Sequence, residues 1–180
     1  RPLVPPTDVP PTAVPPTTVP PTEVPPTEVV EAAPAWASLP LVDVNTGETF
    51  TLADYSDKTV YVHMMATWCT NCQQSQQRLS SQVIPQTSPE DVVFVSVDVQ
   101  TQLDRGTLAQ YTQRNGFGWQ FAVASQEFMN AVVAEYGRSA ANPPSRPHFL
   151  IYPDGSTTSL LTGNATAAEE IALIGGQHGG

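Results

Sequence analysis

Trp68-Cys69-Thr70-Asn71-Cys72 holds the only two cysteines in this 180-residue chain. Immediately upstream stands Thr59-Val60-Tyr61-Val62-His63-Met64-Met65, a run apolar on both faces, as expected of a central strand covered by helices. Immediately downstream, residues 71–83 read as a polar helix stopped by Pro85. The two thiols therefore fall at a strand-to-helix junction. There the first sulfur meets the unsatisfied N–H groups of a helix N-terminus, which favour a thiolate. The second lies one turn further in, within reach of a mixed disulfide formed on the first. Cys69 is the expected nucleophile and Cys72 the resolving thiol. The plainer readings are a structural disulfide or half of a zinc site. Zinc wants two further Cys or His ligands at suitable spacing, and the chain offers only His63, His148 and His178.

Outward from this centre the sequence reads as alternating strands and helices. Residues 41–44 and 48–52 form a hairpin about Asn45-Thr46-Gly47, followed by a helical turn at 53–56. Residues 91–98 give a second buried strand. A helix over 104–114 ends at Asn115-Gly116, and residues 119–123 suit a short strand. Ser125 caps a helix running to Tyr136-Gly137. Residues 148–152 and 157–162 pair about Pro153-Asp154-Gly155-Ser156, and a helix over 166–174 closes the chain. This order predicts an α/β domain over residues 35–180, with a mixed central sheet between helical layers and an N-terminal hairpin extension.

Residues 1–34 have another character. Val-Pro-Pro-Thr-x recurs five times in register, from Val4, Val9, Val14, Val19 and Val24. The prolines exclude helix and sheet and favour polyproline II, so the segment reads as a semi-rigid tether on the order of 75 Å long. It is either a spacer from a membrane anchor preceding Arg1 or a strap along a partner, and its threonines suit O-glycosylation. The net charge of −10, with Lys58 the sole lysine, excludes a basic footprint for nucleic acid. No apolar stretch is long enough to span a membrane.

Ala66-Thr67-Trp68-Cys69-x-x-Cys72 resembles the A-T-W-C-x-x-C segment of the TlpA/ResA-like thioredoxins of the AhpC/TSA-redoxin branch. The similarity extends from Leu39 onward. It takes in Thr46-Gly47-Glu48, Leu52-Ala53-Asp54-Tyr55 and Tyr136-Gly137, and then Arg146-Pro147-His148-Phe149-Leu150-Ile151-Tyr152-Pro153-Asp154-Gly155. Residues 99–135 correspond to that branch's extra strand-and-helix insertion. The resemblance implies a thioredoxin-like three-layer sandwich and an extracytoplasmic thiol–disulfide oxidoreductase needing no cofactor beyond its dithiol. Its partners would be client proteins or redox partners, cytochrome maturation being one family role. It also implies that Trp68 flanks the site and that a cis-proline faces the dithiol, leaving a backbone edge for an extended peptide. Pro143 and Pro144 compete for that place, and Pro147 is favoured because it directly precedes the strand.

The departures from that pattern matter. Thr70-Asn71 lacks the usual proline before the second cysteine, and Ser75 replaces a glutamate found in some relatives. His63 stands where relatives bury Asp or Asn. It reads either as a proton relay or as a neutral buried histidine. Two alternatives to the oxidoreductase follow. One is an accessory subunit of a membrane-bound electron-transfer complex, strapped by residues 1–34. The other is a copper chaperone using Cys69, Cys72 and His148, with Met64 or Met65. His178, in a glycine-rich tail, reads as exposed and incidental.

Overall fold

The computed structural model describes residue 2 and residues 33–176. The Val-Pro-Pro-Thr repeats and His178 lie outside the described residues. Residues 35–38 form a 3-10 turn, followed by the hairpin of β1 (Leu41–Val42) and β2 (Thr49–Phe50). The hairpin pairs over fewer residues than its sequence suggests, and Val44 N–H then donates to the Phe121 carbonyl.

The main sheet has four strands: β3 (Thr59–Met65), β4 (Val92–Asp98), β5 (Gln120–Val123) and β6 (His148–Ile151), in the order β5-β4-β3-β6. The first three run parallel, and β6 is antiparallel to β3. All seven residues of β3 are buried, as its apolar run requires of a central strand. Alternation sorts its side chains. Val60, Val62 and Met64 meet α3 (Gln126–Tyr136) through Phe128, Met129 and Val132, and Trp36 also joins this cluster. Tyr61, Phe94 and Leu150 meet Leu79, Val83 and Ile174, the last from α4 (Ala167–Ile174). The domain is the thioredoxin-like sandwich expected, a mixed sheet between helical layers.

Two elements depart from the sequence reading. The helix after the cysteines, α1 (Thr70–Arg78), widens into a π-helical stretch at Leu79–Val83, and Pro85 sits in a closing 3-10 turn at Ile84–Gln86. Residues 157–162 do not form a strand against β6, which they meet only at the bridges His148–Leu161 and Ile151–Thr157. Between these bridges Leu150 N–H donates to Thr158 Oγ1 rather than to a backbone carbonyl, so a side chain interrupts the ladder.

Candidate functional site

The end of β3 delivers Ala66 and Thr67, and Cys69 follows as the N-cap of α1. Cys69 adopts extended backbone angles, and its sulfur accepts the Cys72 N–H at 3.1 Å. This is the anion position of a helix N-terminus, filled by sulfur. The two cysteines are joined as a disulfide, their Cα atoms 5.2 Å apart. Cys69 is 3% exposed and Cys72 fully buried, while Trp68 is 60% exposed. Trp68 is the one exposed large apolar side chain among the described residues.

The sulfurs have different neighbours. Cys72 Sγ lies 3.2 Å from the Pro143 carbonyl oxygen, a contact that becomes an S–H···O hydrogen bond once the disulfide opens and the thiol is protonated. An electron-rich oxygen there disfavours a Cys72 thiolate, whereas the N–H on Cys69 favours one. The two sulfurs thus stand in unequal surroundings, the Cys69 side favouring negative charge and the Cys72 side disfavouring it.

Pro143, rather than Pro147, supplies this contact. No cis peptide bond occurs among the described residues, so Arg146–Pro147 is trans, contrary to the expectation for Pro147. The turn explains how the chain reverses without it. Arg146 N–H closes a 3-10 turn on the Pro143 carbonyl at 2.8 Å. Arg146 itself adopts left-handed angles (φ 57°, ψ 52°), the only non-glycine with positive φ among the described residues. Pro147 then enters the sheet, its carbonyl accepting from Met64 N–H at 2.9 Å. A left-handed conformation at a residue bearing Cβ costs on the order of 1 kcal/mol or more, so the contacts around Arg146 hold it there.

Those contacts tie the turn to α1. Arg146 Nε donates to the Asn71 carbonyl at 3.2 Å, and its Nη2 reaches Gln74 Oε1 at 3.0 Å and Asn71 Oδ1 at 3.5 Å. Asn71 Nδ2 answers by donating to the Pro144 carbonyl at 3.0 Å. The sequence reading missed Arg146 and Asn71 as members of the site, and ranked Pro143 below Pro147. Only the lone arginine in a proline-rich turn hinted at them.

Beneath the dithiol, β3, β4 and α1 bury polar groups. Asp98, at the end of β4, accepts from Thr67 N–H at 3.0 Å and Gln100 N–H at 2.9 Å, which fixes the backbone two residues before Cys69. Burial pushes its carboxyl up to about 6, and the two N–H donors act against that rise. Gln76 lies between Tyr111, whose hydroxyl donates to Gln76 Oε1 at 2.5 Å, and Ser96 Oγ at 3.4 Å. His63 Nδ1 stands 3.5 Å from Gln76 Nε2, while His63 Nε2 and Ser75 Oγ are buried without partners. Burial is the main reason the His63 imidazole falls to about 3, with His148, Arg78 and Arg146 adding to it.

His148 pairs with His63 across the strands, donates through Nδ1 to the Arg146 carbonyl at 3.0 Å and stacks on Tyr61. It shares the α1-covered face of the sheet with the cysteines, but its ring contact is with Tyr61, whereas the cysteines pack with Met65, Leu108, Tyr111, Phe117 and Phe121. No group of three or more His, Cys, Asp or Glu residues placed to hold a metal occurs among the described residues. The copper set of Cys69, Cys72 and His148, with Met64 or Met65, is therefore not assembled.

Comparisons with known proteins agree with this architecture. The sequence profile of the AhpC/TSA family matches residues 29–158. No curated protein matches the chain. Among solved structures, a thiol:disulfide interchange protein of the thioredoxin family from Chlorobium tepidum superposes with a TM-score of 0.62 at 19% identity, covering 77% of this chain and 92% of that one. A secreted disulfide oxidoreductase from Mycobacterium tuberculosis gives 0.57 at 14%, covering 78% and 97%. An exposed lipoprotein thioredoxin from Streptococcus pneumoniae gives 0.56 at 17%, covering 77% and 98%.

Proposed function

The chain belongs to the AhpC/TSA family, and from that premise we propose that it is a thiol–disulfide oxidoreductase acting on protein disulfides through Cys69 and Cys72. The observation that carries this reading is the asymmetry of the pair. Cys69 Sγ caps α1 and accepts an N–H, while Cys72 Sγ is buried against the Pro143 carbonyl. In the reducing direction the Cys69 thiolate attacks one sulfur of a client disulfide. A mixed disulfide forms and the other client sulfur leaves as a thiolate, which takes up a proton. Cys72 then loses its proton and attacks Cys69 Sγ, so the Cys69–Cys72 bond reforms and the second client thiol departs. Two electrons pass from the dithiol to the client, and oxidation runs through the same steps reversed. The reduction potential sets the direction.

Trp68, exposed beside the nucleophile, offers the client an apolar surface. The A-T-W-C-x-x-C segment supports a place in the TlpA/ResA-like branch. That branch, together with the secreted and lipoprotein structures named above, supports an extracytoplasmic location with residues 1–34 as a tether. The near-complete burial of both sulfurs favours a second reading, an accessory subunit of a membrane complex whose dithiol is idle. Insulin reduction separates the two. The first requires dithiothreitol-driven turnover above the uncatalysed rate, abolished by Cys69→Ser, with a mixed disulfide trapped by Cys72→Ser. Turnover unaffected by Cys69→Ser would overturn it.

A further inference from the structure

Arg146 is a cation without an anion. Arg78–Glu170 is the only ion pair among the described residues, and every side-chain hydrogen bond of Arg146 goes to a neutral oxygen of Asn71 or Gln74. Lys58, Arg105, Arg114 and Arg138 also make no ion pair, so what sets Arg146 apart is where it is held. The position is specific. Asn71 lies between the two cysteines, so the guanidinium sits beside the backbone of the disulfide loop. It is half-buried, and its partners Asn71 and Gln74 are exposed. The chain also holds Arg146 in a left-handed conformation that most side chains avoid.

Arginine binds a carboxylate through two parallel charge-assisted hydrogen bonds, each roughly twice as strong as a neutral one. Amide and carbonyl oxygens satisfy the guanidinium without neutralising it, so a carboxylate arriving at this edge exchanges favourably with them. We infer that Arg146 is a specificity-determining residue that selects client disulfides flanked by an acidic side chain. A client cysteine bonded to Cys69 must lie alongside Asn71, which brings its immediate neighbours within reach of the guanidinium. The client carboxylate takes up the Nη donors now spent on Asn71 and Gln74. The same exchange loosens the tie between α1 and the turn that carries the Pro143 carbonyl over Cys72. The acidic client thus reaches Cys69 and frees the resolving thiol in one movement. Electron flow is unchanged: Cys69 Sγ bonds to the client sulfur, and the other client sulfur leaves as a thiolate and is protonated.

This inference rests on the oxidoreductase reading, and one experiment tells the two apart. The pre-reduced full chain is mixed with either of two synthetic peptides closed by an intramolecular disulfide, identical except for Glu or Gln beside each cysteine. Single-turnover reduction is followed against peptide concentration. The wild type should reduce the Glu peptide about 3-fold to 5-fold faster at low peptide concentration, the size expected of an exposed ion pair. The advantage should shrink in 0.5 M NaCl, where the Debye length falls to a few ångströms. Arg146→Gln, which keeps hydrogen-bond donors toward Asn71 but no charge, should bring the ratio to 1, and Arg146→Lys should keep part of it. A merely structural arginine would slow both peptides alike and leave the ratio unmoved. Equal wild-type rates, or a ratio surviving in Arg146→Gln, overturn the specificity assignment alone. Failure of the wild type to reduce either peptide overturns the oxidoreductase reading and this inference with it.

Discussion

His63 stands on β3 opposite His148, on the face that α1 covers, with its Nε2 unpartnered beside an equally unpartnered Ser75 Oγ. The space they line with Arg78, Arg146 and Glu170 is too narrow for a water molecule. A buried polar atom left without a partner costs roughly 1–3 kcal/mol, and a proton on His63 would add a charge beside two arginines. The imidazole is therefore neutral, at about 3 against an ordinary value near 6.5. Between those values the unfolded chain binds a proton that the folded chain refuses, so the stability His63 permits is full above pH 6.5 and is lost as pH falls toward 3. Asp98 acts in the opposite sense. Its carboxyl, raised to about 6, holds a proton when folded that it loses when unfolded, so its contribution is full below pH 4 and is lost as pH rises through 6. Urea melts at pH 4, 5 and 6 should show wild-type stability rising relative to His63→Gln by about 1.4 kcal/mol per pH unit. Parallel curves would mean that His63 is charged in the fold. The placement of Cys69 on a helix cap and of Cys72 a turn inside was legible from their spacing at a strand-to-helix junction alone. The contact of Arg146 with the disulfide loop, and the choice of Pro143 over Pro147, were not, because no local pattern says which turn of a distant segment will close over the sulfurs.

At the scale of elements, the clearest strands were those with a continuous apolar run, and the expected bounds of β3 coincide with the observed ones. The dithiol helix was harder. Its buried face is Cys72, Ser75 and Gln76, a polar stripe held by hydrogen bonds rather than by apolar area, so hydrophobic periodicity could not mark where it ends. The helix α2 (Arg105–Asn115) was read to within a residue because it carries both punctuation marks. The Asp104 side chain accepts Thr107 N–H at 3.0 Å, and Gly116 closes the other end at φ 69°. Phe117, which follows directly, packs on Tyr111 and Phe121 in the cluster that also holds both cysteines. A methyl group at Gly116 would meet nothing within 4 Å, so Gly116→Ala isolates the backbone term. It should cost about 1–2 kcal/mol, the penalty of a left-handed Cβ-bearing residue, seen as a lower urea midpoint at unchanged slope. A smaller loss would show that the cap relaxes out of its left-handed geometry.

For the whole molecule, alternation of strands and helices was enough to indicate a mixed sheet between helical layers. It could not supply the strand order, because pairing partners are chosen in three dimensions by which faces need covering. The bond at the centre has a further consequence for the molecule as a thermodynamic object. Cys69 and Cys72 are three residues apart, so the cross-link closes a ring of a single helical turn. Chain-entropy arguments credit so small a loop with only about 2 kcal/mol, little beside the burial of three apolar clusters around the sheet. Urea unfolding with and without dithiothreitol should therefore differ by no more than about 2 kcal/mol; a reduced chain that fails to fold would show that the bond is a staple. A domain whose only covalent cross-link contributes so little to its cohesion can open and reclose that bond turnover after turnover without risking its architecture.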